Sequence, residues 1–159
     1  MHALKYEGWP EVADFMGRRM ARAVGWRPFV SRAVIVPVPT TASRVRARGY
    51  NQAALLADVV ADRLGGTSAH GVLLRRRGGT SQTALSPERR TENVRGAFGA
   101  GPDADAVRDR AVLLVDDVLT TGATGLEAAA TLQEAGAAEV RLLAFARALP
   151  GRDLGGRAA

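Results

Sequence analysis

The residues of this chain best suited to chemistry lie in one stretch, VLLVDDVLTTGAT, from Val112 to Thr124. Four apolar residues, Val112–Val115, form the continuous run expected of a buried parallel strand. Such a strand delivers Asp116 and Asp117 to the carboxyl edge of a sheet, where α/β proteins bind their ligands. Thr120, Thr121, Gly122, Ala123 and Thr124 follow, and Gly122-Ala-Thr-Gly opens an Ala-rich helix. The first N–H groups of a helix have no intrahelical partner, so they form an anion site, to which the three threonines add hydroxyls. Backbone N–H groups that hold a phosphate beside two carboxylates that accept from hydroxyls suit a phosphorylated sugar. The segment lacks both the Walker pattern and the dinucleotide fingerprint G-x-G-x-x-G. The plainer alternative is a strand–turn–helix in which Asp117 or Thr121 serves only as a cap.

Charge points in the same direction. Between Arg44 and Arg95 lie ten arginines, at 44, 46, 48, 63, 75, 76, 77, 89, 90 and 95. Against them stand only Asp58, Asp62, Glu88 and Glu92, so this segment carries the whole net charge of +6. A local excess of this kind attracts a polyanion, either phosphates or nucleic acid. Lys5 is the only lysine, so a preference for Arg explains the type of cation but not its clustering.

The elements that must position these residues follow from periodicity. Trp9, Val12, Ala13, Met16, Met20, Ala23 and Val24 predict an amphipathic helix over 9–24, with Pro10 in its first turn. Ala33–Val38 predicts a strand ending at Pro37-Val38-Pro39. An Arg-rich loop over Ser43–Gly49 follows, then a helix through Leu55, Leu56, Val59, Val60 and Leu64, closed by Gly65-Gly66. His70–Leu74 and Val94–Ala100 read weakly as strands, and 75–93 as a long loop. Val140–Ala146 is a second buried strand. The order β-α-β, loop, β-α-β predicts an α/β domain with a doubly wound, mainly parallel sheet over residues 1–150 and a frayed tail at 151–159.

The 159 residues suffice for one core, and 47% of them are apolar. The absence of Cys excludes disulfides, thiolate chemistry and Cys-based zinc sites. No apolar run reaches membrane-spanning length and the N-terminus has no secretory signature, so a cytoplasmic location is expected. His2 and His70 are isolated and read as surface residues. Asn51 reads as a helix cap, and Arg75–Arg77 as a pyrophosphate clamp, a nucleic-acid contact or solvated charge.

Val112–Thr124 is similar to the phosphoribosyl pyrophosphate motif of type I phosphoribosyltransferases. The wider chain resembles the ComF family of competence-associated, phosphoribosyltransferase-like proteins. That resemblance runs through Leu4-Lys5-Tyr6, Val36-Pro37-Val38-Pro39, Arg46-x-Arg48-Gly49-Tyr50-Asn51-Gln52 and Gln82 with Leu85, Ser86 and Arg89. It continues through Asn93-Val94-Arg95-Gly96-Ala97-Phe98 to Arg147. It implies a type I phosphoribosyltransferase fold with a small N-terminal hood over residues 1–30. It also implies Mg²⁺ and 5-phosphoribosyl 1-pyrophosphate as ligands. Asp116 and Asp117 would hold the ribose hydroxyls directly or through Mg²⁺, and Thr120–Thr124 the 5′-phosphate. Thr40 and Thr41, with Arg44, Arg46 and Arg48, fall where the family binds pyrophosphate. Residues 76–92, with Arg76, Arg77, Gln82 and Arg89, fall where it places a flexible loop. Many members also carry an N-terminal Cys-rich zinc module, which this sequence lacks.

Two functions are then expected to compete. One is a Mg²⁺-dependent transferase in which an unidentified acceptor displaces pyrophosphate. The other is a non-catalytic protein that binds a phosphoribosyl nucleotide or single-stranded DNA during DNA uptake. The sequence leaves the acceptor open, and the choice between monomer and homodimer.

Overall fold

A computed structural model describes residues 9–24, 29–76 and 96–148. The first helix, α1 (Trp9–Val24), has the predicted bounds. Strand β1 (Val34–Pro37) is buried throughout. Beyond Thr41 comes a short helix, α2 (Ala42–Arg48), then α3 (Gln52–Leu64), which ends on left-handed Gly65. Strands β2 (Leu73–Arg75) and β3 (Phe98–Ala100) are short. Strand β4 (Ala111–Leu119), helix α4 (Ala123–Glu134) and strand β5 (Glu139–Arg147) complete the order.

The three longer-range strands form a parallel sheet in the order β1-β4-β5. Val34 lies opposite Val112 and Pro37 opposite Val115, while Ala111 lies opposite Glu139 and Leu119 opposite Arg147. Strand alternation divides the core in two. Val34, Val36, Val38, Val112 and Leu114 face α4 and pack with its Ala128 and Leu132. Ile35, Leu113 and Val115 face the other way, onto Ala13, Met16 and Met20 of α1 and Leu56, Ala57 and Val60 of α3. Helices thus cover both faces of a parallel sheet, as the doubly wound reading expects. Close approach of α4 to β5 needs a glycine, because a Cβ on Gly125 would come within 2.6 Å of Leu142 Cδ2.

Three details differ from the sequence reading. The expected loop over Ser43–Gly49 is the helix α2: Thr41 Oγ1 accepts from the Arg44 N–H at 3.3 Å, and Gly49 ends the helix at φ 87°. None of its residues is buried, so no apolar periodicity announced it. Strand β4 runs on to Leu119, so the aspartates lie within it rather than past its end. The strand after α3 does not join β1's sheet. The chain meets β1 in a single bridge, Ser68 opposite Ile35 with the Ala69 N–H donating to the Ile35 carbonyl at 2.7 Å, and then turns into an antiparallel ladder of β2 with β3. The expected tail at 151–159 and the loop positions 77–92 lie outside the described residues.

Candidate functional site

β1 stops one position before the aspartates begin on its neighbour, with Pro37 opposite Val115. The Val38 N–H still donates to the Val115 carbonyl at 2.9 Å, and there β1 ends and its chain turns away. Asp116 and Asp117 therefore stand at the carboxyl edge of the sheet, flanked on one side by β5 and on the other by the turn Pro39–Thr41. Both carboxylates are half-buried. Asp116 Oδ1 accepts from the Asp117 N–H at 2.9 Å, and Asp117 Oδ1 from the Val118 N–H at 2.7 Å. Burial pushes the Asp116 carboxyl up to about 7, and repulsion from Asp117 adds to it. The Asp117 N–H and the Arg75 guanidinium pull it the other way.

After Leu119 the chain turns through Thr120 and Thr121 to Gly122, whose φ of 83° lies in the left-handed region that favours glycine. That torsion aims the first turn of α4 at the sheet edge. Thr121 Oγ1 accepts from the Ala123 N–H at 3.3 Å, and the Leu126 N–H bonds the Gly122 carbonyl at 2.9 Å. The N–H groups of Thr124 and Gly125 belong to the first turn, where helix geometry supplies no acceptor. These N–H groups lie one short turn from two carboxylates, the arrangement expected of an anion site.

The turn before α2 faces the same edge. Asn51 precedes α3 as its cap residue, but its side chain makes no cap hydrogen bond. It donates through Nδ2 to the Val38 carbonyl at 3.0 Å, bracing the Pro39–Thr41 turn from behind. The cap rule identifies the position correctly and misses where the amide points. Thr41 Oγ1 also lies 3.0 Å from Ser43 Oγ.

The arginines divide. Arg75 is half-buried, with its guanidinium 5.1 Å from the centre of the Phe98 ring and within electrostatic reach of both Asp116 and Arg44. Burial draws it below the usual guanidinium range, Arg44 adds to that, and Asp116 opposes it. Of Arg75 and Arg76, Arg75 is thus the one brought beside the carboxylates. The signal was a two-residue alternation, Leu73 in, Leu74 out, Arg75 in, too short to stand out in the sequence. Arg46 and Arg48 lie exposed on α2. Arg76 points elsewhere, beside Gly99, into a groove of about 570 Å³ between β3 and α4 that Glu127 and Glu134 also line. Arg77, Gln82 and Arg89 lie outside the described residues.

No cluster of three or more metal-ligating side chains occurs among the described residues, and none of their helices is long and apolar enough to cross a membrane. The phosphoribosyl transferase domain model matches residues 50–154. Competence protein F of Haemophilus influenzae is 35% identical over 72% of this chain and 50% of its own length. DNA utilization protein YhgH of Salmonella typhi is 33% identical over 94% of this chain and 66% of its own. The chain thus spans between half and about two-thirds of these curated relatives. Among solved structures, glutamine phosphoribosylpyrophosphate amidotransferase from B. subtilis, complexed with ADP and GMP, superposes with a TM-score of 0.55 at 23% identity, over 82% of this chain and 25% of that one. An allosteric regulatory enzyme of purine biosynthesis gives 0.54 at 24% identity, over 84% and 25%. At that identity the likeness concerns the fold.

Proposed function

The chain belongs to the phosphoribosyl transferase domain family, among its ComF-like members, and from that premise we propose that it binds 5-phosphoribosyl 1-pyrophosphate at the edge formed by β4 and the turn after β1. The observation that carries this reading is the adjacency of Asp116 and Asp117 to the Gly122-opened N-terminus of α4. The Thr120–Thr124 cradle takes the 5′-phosphate. The aspartates accept from the ribose hydroxyls. Thr40, Thr41, Arg44 and Arg75 face the pyrophosphate, whose oxygens guanidinium groups match in pairs.

The donor set also suits Mg²⁺, a hard cation commonly held by one or two carboxylates together with substrate phosphates. Asp116, whose charge burial disfavours in the free protein, gains a counter-charge in that arrangement. Asp116 and Asp117 would hold the ion, directly or through water, and it would neutralise charge on the departing pyrophosphate. Breaking the C1–O bond leaves positive charge on the ribose, which the two carboxylates stabilise, and negative charge on the leaving group, which Arg44 and Arg75 stabilise. The acceptor that completes the transfer is unidentified.

A second reading has its own support. Relatives bear names that refer to competence and DNA utilization, and α2 presents Arg44, Arg46 and Arg48 on an exposed surface. In this reading the same edge binds a phosphoribosyl group or single-stranded DNA without chemistry. Calorimetric titration with 5-phosphoribosyl 1-pyrophosphate, with and without Mg²⁺, tests the first proposal. Saturable binding that strengthens with Mg²⁺ is expected. Heat only from single-stranded DNA, lost as salt rises, would favour the second.

A further inference from the structure

The block Arg46-x-Arg48-Gly49-Tyr50-Asn51-Gln52 holds a residue whose side chain does not do what its position calls for. Asn51 stands at the start of α3 in extended backbone, φ −100° and ψ 118°, and its own carbonyl accepts from the Ala54 and Leu55 N–H groups at 3.1 and 3.3 Å. An asparagine there ordinarily turns its side-chain oxygen onto an N–H of the first turn. Asn51 makes no such bond and donates instead, through Nδ2, to the Val38 carbonyl at 3.0 Å.

The ladder between β1 and β4 explains why that carbonyl is available. In parallel strands the N–H and C=O of one residue face the same neighbour, and alternate residues face opposite neighbours. The Val38 N–H donates to the Val115 carbonyl at 2.9 Å, so Val115 faces β1. The next residue of β4 turned that way is Asp117, and an evenly spaced ladder would carry its N–H to the Val38 carbonyl. That N–H is engaged elsewhere, by Asp116 Oδ1 at 2.9 Å. Asn51 therefore supplies the rung that Asp117 withholds. Val38 is buried, and a buried carbonyl needs a donor.

The bond closes an excursion of the chain. Residues 39–50 leave the sheet after Val38 and return at Asn51, 13 positions on. Both ends are fixed, Val38 by its bond to β4 and Asn51 by α3, whose Ala53, Leu56 and Ala57 are buried. What lies between them is not fixed by packing, because α2 buries none of its residues. Thr41 Oγ1 accepts from the Arg44 N–H at 3.3 Å, the Thr41 carbonyl from the Val45 N–H at 3.0 Å, and the Val45 carbonyl from the Gly49 N–H at 2.7 Å. These bonds stay within the excursion, so they set the form of α2 but not its place beside the carboxylates. Its neck sets that.

We propose that Asn51 is a positioning residue: by tying the neck, it keeps Thr40, Thr41 and Arg44 at the edge that carries Asp116 and Asp117, and so sets affinity for the pyrophosphate half of the ligand. This rests on the reading of that edge as a site for 5-phosphoribosyl 1-pyrophosphate. Asn51 acts through the turn alone. The position asks for a neutral side chain with a donor at that reach. Aspartate has no hydrogen to give, and the hydroxyl of serine ends one bond nearer the backbone.

Asn51→Ser and Asn51→Ala separate position from stability. Both lose the donor, but serine is free to cap α3 and alanine is not. The serine variant should therefore melt above the alanine variant. Calorimetry should nevertheless show both losing affinity for 5-phosphoribosyl 1-pyrophosphate, and for inorganic pyrophosphate with Mg²⁺, by roughly the same tenfold, the upper end of one hydrogen bond's worth. Ribose 5-phosphate, which reaches only the α4 turn and the aspartates, should bind nearly as before. Hydrogen exchange in both ligand-free variants should quicken at Val45 and Gly49 and hold steady at Leu56 and Val60 of α3. Affinity that follows melting temperature, with serine near wild type and alanine weak, would overturn the proposal. Equal losses for pyrophosphate and ribose 5-phosphate would do the same. A wild-type chain that binds neither 5-phosphoribosyl 1-pyrophosphate nor pyrophosphate would sink the parent reading of the site. The exchange comparison still decides the neck in that case, and unchanged rates at Val45 and Gly49 would overturn it.

Discussion

The edge of the sheet holds two versions of one device. After β1 the chain runs through Thr40 and Thr41 into α2, and after β4 through Thr120 and Thr121 into α4. The second version is anchored. Gly125, Ala128 and Leu132 of α4 are buried, and the glycine at 125 lets the helix lie close against Leu142. The first version is not: α2 has seven residues, none buried, held by a Thr41 cap and by Asn51 bracing Val38 from behind. An anion at α4 meets N–H groups fixed by packing. An anion at α2 meets guanidinium groups that stand in water. In the proposed binding mode, geometry would carry recognition in one place and screened charge in the other.

The largest effects should fall on the anchored half. Asp116→Asn and Asp117→Asn should each weaken binding of 5-phosphoribosyl 1-pyrophosphate by about 1.5–3 kcal/mol, the worth of a charge-assisted hydrogen bond or metal contact. Calorimetry checks this, and unchanged affinity in both variants would make the pair structural. Asp116→Asn should also stabilise the ligand-free protein. Its carboxyl rises from 3.8 to about 7 on folding, so the folded state binds the proton more tightly. The favourable contribution of Asp116 is then complete below about pH 4 and lost as pH passes 7. Asparagine removes the cost of burying the charge. Allowing for partial solvent access, melts above pH 7 should show a gain of about 1–2 kcal/mol, and none near pH 3.

That half was also the easier to read in the sequence. Val112–Val115 is apolar without interruption, and Gly122 followed by an Ala-rich stretch marks a helix start whatever the ligand. The α1 helix was equally legible because Ala13, Met16 and Met20 face the core at helical spacing. Periodicity reports burial, and so it was silent on α2, which buries nothing. It was silent again on β2, three residues long, and so the approach of Arg75 to Asp116 could not be foreseen. The side chain of Asn51 escaped for a different reason. Its partner, the Val38 carbonyl, is 13 residues away, and a cap rule looks only forward along the helix.

A second test separates backbone geometry from stability. Gly122→Ala adds a methyl group with room to spare, since its nearest neighbour is Leu119 Cδ1 at 3.8 Å. The cost is the left-handed torsion alone, about 1–2 kcal/mol of folding stability. Gly49→Ala at the end of α2, with φ 87° and nothing within 4 Å, should cost a similar amount. Binding of the sugar pyrophosphate should weaken in the Gly122 variant beyond what the stability loss explains, and stay nearly constant in the Gly49 variant. Equal binding losses would mean that the α4 turn is no more a phosphate site than the end of α2.

The smallest effects should come from α2, and their salt dependence is the informative part. Arg46→Gln and Arg48→Gln each remove one exposed charge, worth about 0.2–1 kcal/mol for a pyrophosphate nearby and less as salt rises. Arg75→Gln should cost more than either and fade less with salt, because Arg75 is half-buried against Phe98 and its charge is less screened. Measured at low and high salt, the loss from Arg75→Gln should change little, while the α2 losses shrink towards zero. Single-stranded DNA gives the opposite ranking. There each arginine on the exposed face contributes a phosphate contact, and removing one lowers the slope of log affinity against log salt by roughly 0.7. If Arg46→Gln and Arg48→Gln flatten that slope for DNA yet leave pyrophosphate binding intact, α2 serves a polymer and the α4 cradle a sugar phosphate. If all three arginines behave alike towards both ligands, the division between a packed half and a solvated half has no functional counterpart.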